Sequence, residues 1–370
     1  MRYITTFLLL THGTICMLGF VSAFKLAAVP GLSGQTLWPL GAGLQRALGL
    51  AWLLVAVGLV LAAFLRWRGL GSWWLVAGAA VVVSQALIVV HWPEAKAGTL
   101  VNVLLALAVL FAAAGARFDA AGRRQAERLL SGPLGAPTIL TNDELAPLPS
   151  PVRRWLLSTG AVGRPRAATV RLRQSGGLRT RPQEPLMPAV ATQYFRVDPP
   201  GFVWLVDLKM KRLPVLGRDD FDGRTGRMLI TIGGLIPIVN ATGEGIDRGA
   251  ALRFLGELVW FPSAATSPAI TWEPLDDDSA RATLQADGFA VSAVFTFDAS
   301  GRFTSLRARR SYAGGPEETW CVAAHEWRAP HGVVVPVAGS VTWKLAAGDF
   351  EYYRFHIDDV EENPERLFPR

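Results

Sequence analysis

The sequence predicts two parts of different fold class. An α-helical membrane domain of four transmembrane helices comes first. An antiparallel β-rich α+β domain follows, a curved sheet or half-barrel with a covering helix. Three observations carry this. The 370 residues are 51% hydrophobic and only 18% charged, too apolar for a chain that is soluble throughout. Four uncharged stretches lie in the first third. From about residue 167 the apolar positions alternate with period two, and one helical pattern interrupts them at 247–262. The expected organisation is a four-helix membrane domain at 1–117, a basic juxtamembrane segment and Pro-rich linker at 118–150, and the β-rich domain at 151–370.

The uncharged stretches are residues 3–24, 47–65, 69–93 and 97–116, each long enough to cross a bilayer as a helix. Trp38, Trp67, Trp73, Trp74 and Trp92 sit near their ends, where amphipathic rings favour the interface. The first stretch has a second reading, a signal peptide cleaved after Ala23. Arg2, Arg66, Arg68, Arg117, Arg123, Arg124 and Arg128 flank one side of the spans, whereas Lys25, Arg46 and Lys96 flank the other. The Arg-rich side is expected in the cytosol, which makes the chain a multi-pass inner-membrane protein with a cytoplasmic C-terminal domain; a periplasmic domain is the alternative. Polar groups within the spans are His12, Ser84, Gln85, His91 and Asn102, positions that are functional candidates in a membrane.

Residues 118–130 carry three arginines on a helical pattern and are expected to continue the last span along a surface. Prolines at 133, 137, 147, 149 and 151 then mark a linker. A short helix follows, with Ser150 placed to cap it, Pro151 in its first turn and Gly160 to close it. Strand patterns come next. Phe289, Val291, Ala293, Phe295 and Phe297 share one face, as do Val341, Trp343 and Leu345; Tyr353, Phe355 and Ile357 oppose Tyr352, Arg354 and His356. Turn signals such as Asp222-Gly223 and Asp287-Gly288 separate the runs. This spacing predicts roughly ten to twelve strands in an antiparallel meander.

The interrupting stretch, "DRGAALRFLGELVWFP", has Asp247 to cap its start, an i,i+4 pair of Arg253 and Glu257, and Pro262 to stop it. So short a helix must bury its apolar side. The concave face of a curved sheet is the available partner, so Leu255, Leu258, Val259, Trp260 and Phe261 are the candidate ligand-binding residues.

"LPSPVRRWL" (148–156), "FVWLVDLKM" (202–210), "DRGAALRFLGELVWFP" and "ITWEP" (270–274) together resemble an uncharacterised bacterial membrane-protein family, a domain of unknown function, over about 150–360. "HWPEAKAGTLVNVLLAL" (91–107) and the helices before it resemble the four-helix DoxX-like membrane modules. In order of elements, the β-rich domain also resembles the LolA-like half-barrel of lipoprotein carriers, which hold acyl chains between a curved sheet and plug helices. That resemblance implies a hydrophobic ligand. It carries over no individual residue, and those carriers work outside the inner membrane.

Catalytic signatures for hydrolases, zinc proteases, nucleotide binding and thiol redox chemistry are missing from the sequence. Cys16 and Cys321 lie too far apart to indicate a disulfide framework, and neither a metal site nor a cofactor is expected. "DDFDGRTG" (219–226) and "DDDS" (276–279) hold clustered acids without the closing Glu of a calcium loop and are expected to be solvated turns. His325, Glu326, Arg354 and His356 are polar candidates that neighbouring strands could bring together, with an exposed polar face as the plainer expectation. Net charge is +6 over 1–117, +7 over 118–181 and −6 over 182–370. The basic excess therefore suits anionic lipid headgroups better than nucleic acid, which is not expected as a partner. The expected function is membrane-tethered binding of a hydrophobic ligand, a lipid, by the β domain. The alternative is a structural or assembly factor that docks another membrane protein. An enzyme using the His325 region ranks last.

Overall fold

The computed structural model describes residues 2–132, 135, 138–211 and 213–369. Pro133 and Pro137 of the expected linker lie outside the described residues. The chain divides into two compact units, Met1–Arg117 and Phe118–Arg370.

The first unit is helical. Helices α1 (Arg2–Ala23), α2 (Ala42–Arg68), α3 (Trp73–Val90) and α5 (Gly98–Ser131) are long and apolar enough to cross a membrane, and the short α4 (Trp92–Ala95) joins the last two. Small and apolar residues fill the interior, among them Ala56, Leu59, Ala62, Ala63 and Ala77. Leu54, Val57, Val82 and Leu100 point outward and are exposed. Helices that are apolar all round suit a lipid environment.

In the second unit, α5 continues past Arg117 without a break and packs Ala126, Leu129 and Leu130 against Tyr194, Val203 and Leu205 of the sheet. Helix α6 (Ser150–Thr159) begins one residue before its expected first turn, with Pro149 at the cap. It ends at Gly160, whose φ of 72° is the left-handed value that glycine adopts freely.

Thirteen strands, more than the ten to twelve expected, form one antiparallel sheet among the described residues. Strands β1 (Thr169–Leu178), β2 (Met187–Arg196), β3 (Gly201–Met210), β4 (Leu213–Phe221), β5 (Gly226–Ile232) and β6 (Ile236–Ala241) make one meander. A second meander runs through β7 (Ile270–Pro274), β8 (Ser279–Ala286), β9 (Phe289–Phe297), β10 (Phe303–Ser311), β11 (Glu317–Arg328), β12 (Val335–Leu345) and β13 (Gly348–Glu362). The two join at the centre, where β1 pairs with β13; β6 and β7 are the edges. The sheet curves into a half-barrel.

Between the two edge strands the chain crosses the concave face. Helix α7 (Glu244–Glu257) runs on into 3-10 turns at Leu258–Trp260 and Pro262–Thr266. Its cap is Gly243, four residues earlier than the sequence predicts, so Asp247 does not cap it. Instead the Asp247 carboxylate accepts the Gly226 N–H at 2.7 Å and ties the first turn to β5. Pro262 opens the last 3-10 turn and does not end the helix. Helix α7 lies against β4 and β5 of one limb and against β8, β9 and β10 of the other.

Candidate functional site

A cavity of about 280 Å³ lies between α7 and the sheet. One wall comes from β3 to β6 with Val206, Leu208, Met210, Val215, Met228 and Ile230; the other comes from β11 to β13 with Val322, Val341, Tyr352, Tyr353 and Phe355. Leu178 and Met187 lie at the end of β1 and the start of β2. Gly256, Glu257, Val259 and Trp260 form the roof. Three of the chain's five methionines line this chamber, and methionine is the apolar side chain that adapts most easily to different shapes.

The expected binding residues divide between chamber and core. Val259 and Trp260 line the cavity; the Trp260 indole donates to the Pro336 carbonyl at 3.0 Å and meets Phe355 edge-on. Leu255, Leu258 and Phe261 are fully buried in the core, where Phe261 packs on Phe195 with ring centres 4.8 Å apart. They hold the helix down and do not face the chamber.

Inside the chamber is a set of charges. Arg253 donates from Nε to Glu257 at 2.9 Å and from a second nitrogen to Asp219 at 2.9 Å, and its guanidinium lies 4.5 Å from the centre of the Trp204 ring. Gln193 donates to the other Glu257 oxygen at 2.7 Å, Gln174 donates to Gln193 at 3.2 Å, and the Tyr353 hydroxyl donates to Gln174 at 2.7 Å. Burial pushes the Asp219 and Glu257 carboxyls up, against the pull of Arg253. Burial works to lower Arg253, but Glu257 and Asp219 outweigh it and hold the guanidinium in its charged form. Asp219 corrects the reading of 219–226 as a solvated turn. It sits on β4 in phase with Val215, Gly217 and Phe221, whose side faces the interior, and only Asp222 organises the turn, accepting from Arg224 and Thr225.

Two further features escaped the period-two reading. Tyr352 was expected opposite Tyr353, but a β-bulge between the Val341 and Thr342 pairings lets both tyrosines line the chamber. Arg310 follows Leu306 and Ala308 at inward positions of β10, and it reaches the chamber between the covering helix and two indoles, Trp320 at 5.3 Å and Trp343 at 5.9 Å. A charge in phase with an apolar face is the signal that would have found Asp219 and Arg310.

The four polar candidates lie away from the chamber. The His325 ring is 3.0 Å from the Ser340 hydroxyl, Glu326 pairs with Arg328, Arg354 pairs with Glu351, and His356 flanks Ala338 opposite Glu326. Each has a local partner or neighbour on the sheet, and the chamber lining includes none of them.

The first unit has its own cavity, about 510 Å³, bordered by His12, Cys16, Trp52 and His91. The His12 Nε2 is 2.9 Å from the Asn102 carbonyl oxygen; the Asn102 amide donates to Ser84 and to Gln85, each at 3.1 Å. These buried bonds join α1, α3 and α5. His91 is bonded to the Leu87 carbonyl of its own helix.

Residues 138–355 match the family of unknown function DUF6544, a match that spans more than half of the chain, and the protein belongs to that family. No curated protein matches in sequence. Among solved structures, a DUF1329 family protein from Desulfovibrio piger is similar at 6% identity, over 62% of this chain and 96% of that one, with a TM-score of 0.36. A LolA superfamily protein from Nitrosomonas europaea is similar at 10% identity, over 55% and 88%, with a TM-score of 0.31.

Proposed function

We propose that the β unit holds a lipid in the chamber beneath α7, and that the four apolar helices keep it at the inner membrane, with the β unit on the cytosolic side. The observation that carries this is a hollow whose walls are mostly apolar, with a few charged and polar side chains set among them, inside a unit with a large buried hydrophobic core. An empty apolar cavity forfeits contacts on every wall, and an acyl chain restores them while leaving water at about 0.8 kcal/mol per methylene. The split of basic residues between the two flanks of the spans supports the cytosolic side.

A second reading is an assembly factor that docks another membrane protein. It is favoured by the exposed Leu213, Leu235, Ile236 and Ile238 on neighbouring hairpins of β4, β5 and β6. Native mass spectrometry of the full chain, purified from membranes, separates the two. Lipid binding requires a bound acyl-chain mass that disappears when Val322→Phe fills the chamber. A folded chain that carries no such mass, and gains none from added fatty acid, overturns the lipid reading and leaves docking.

A further inference from the structure

The charges around the chamber are not equally satisfied. Asp219 and both oxygens of Glu257 are bonded to Arg253 and Gln193. The chamber's carboxylates are therefore occupied, and a cationic ligand would find none free. The donors differ. Among the described residues the Arg310 guanidinium makes no hydrogen bond or salt bridge; it lies over Trp320 and Trp343 and within electrostatic reach of Asp219, Glu257 and Tyr352, each of which is already hydrogen-bonded to another group. Trp204, buried and lining the chamber, has an indole N–H with no acceptor. The Tyr352 hydroxyl accepts from Trp320 at 3.1 Å and donates to no described group.

The place for Arg310 is built. A Cβ added to Gly249 of α7 would stand 2.9 Å from Arg310 Nε, so the glycine lets the helix close over the guanidinium edge. Two indoles support its flat face, which is how arginine is held while its fork of N–H groups stays open to an acceptor. The missing partner is therefore an anion, and the group matched to a guanidinium fork is a carboxylate or a phosphate. Apart from the groups named above, Gln174, Thr180 and the Tyr353 hydroxyl, the side chains of the lining are aliphatic, aromatic and thioether. Its volume, about 280 Å³, lies just below the range for drug-sized ligands and suits one acyl chain better than two.

We propose that the chamber takes a single-chain acidic amphiphile, a fatty acid or a lysophospholipid, with its anionic head on Arg310 and its chain along Met187, Met228 and Ile230. This rests on the lipid reading and adds the chemistry of the head. Asp219 on β4 and Glu257 on α7 keep the cationic Arg253 occupied, so the head is directed to Arg310.

The test uses the full chain in a steroidal glycoside detergent at about pH 8, where a carboxylic acid is ionised. Native mass spectrometry titrates three probes: oleate, methyl oleate and oleoyl lysophosphatidate. A hydrogen-bonded ion pair predicts that at least one acid binds about 10- to 100-fold more tightly than the ester. The tighter acid identifies the head as carboxylate or phosphate. In Arg310→Gln that preference falls to about threefold or less, Arg310→Lys keeps part of it, and Val322→Phe abolishes binding of all three. Equal binding of acids and ester by the natural chain overturns the anionic head while leaving the lipid reading intact, and this outcome needs no variant to fold. Binding of none of the probes, or binding that survives Val322→Phe, overturns both.

Discussion

The two ends of the half-barrel use the same thirteen strands, and one is filled where the other is hollow. At the filled end, Trp155 of α6 stacks on Phe297 at 5.5 Å and lies 6.3 Å from Trp272; Phe195, Phe254 and Phe261 form a second aromatic group. At the hollow end, α7 offers Gly256 and a charged pair, and methionines take the wall positions. Both ends are rich in aromatic residues, so composition does not separate them. The difference lies in what covers the sheet. A whole helix, α6, and two 3-10 turns fill one end with large side chains, while the roof at the other end places small and ionic groups over the same sheet. Curvature makes a cavity only where the covering element leaves it unfilled.

That comparison can be broken by mutation. The largest expected effect is at the filled end: Trp155→Ala costs about 3–5 kcal/mol, whereas Met228→Ala in the chamber wall costs about 2, since its surroundings are already partly empty. Denaturant unfolding of the full chain compares them, and equal losses would mean that the chamber wall is packed as tightly as the core. Next is Arg253→Met, which strips Asp219 and Glu257 of their partner and costs about 3–5 kcal/mol near neutral pH. Both carboxyls are raised by burial, so their protonated forms are favoured in the fold and the loss should shrink as pH falls. A penalty that does not change between acid and neutral pH would show that these acids are not charged in the native protein.

Overpacking sharpens the contrast. Ala265→Phe, at a fully buried site beside Trp272, should cost about 1–3 kcal/mol, and Val322→Phe, which points into free volume, should cost less than about 1. The reverse order in thermal melts would refute a pre-formed hollow. The smallest effect concerns Glu362, at the far end of β13 from the chamber. Burial raises its carboxyl to about 7, Arg164 opposes this weakly, and one oxygen has no hydrogen-bond partner. An acid raised in the folded state stabilises most below its unfolded pKa, about 4.3, and that contribution is lost as pH rises through 7. Glu362→Gln should therefore raise stability by about 1 kcal/mol above pH 7 and by little at pH 4. Identical gains at both pH values would contradict the shift.

The sequence revealed as much of this as its periodicities allow. The four long apolar helices, the alternation of Phe289 to Phe297 and the helix among the strands follow from apolar spacing, which depends on local geometry. The helix start was misplaced because Asp247 has the side chain of a cap, yet it is used in a tertiary bond to Gly226. Tyr352 was placed on the wrong face because a bulge depends on the partner strand and leaves no mark on its own. Arg310 and Asp219 were visible as charges at inward positions, but "RARRS" reads as a basic run and "DDFDG" as a turn until the strand phase is fixed. Whether Leu255 or Val259 faces a ligand depended on the helix rotation, which hydrophobicity alone leaves open when both sides of the helix are buried.

The pairing of β1 with β13 sets a timetable for biosynthesis. Gln174 and Ile357 are partners, so the central seam of the sheet joins residues about 180 positions apart. At about 5–20 residues per second, β1 is out of the ribosome for about 10–40 s before its partner strand exists. During that interval its free side is an open strand edge, the kind of surface that recruits other strands. The basic helix 118–131, which packs on β2 and β3 beside that seam, is made earlier and can shelter the outer face of the first meander while the second is still being translated.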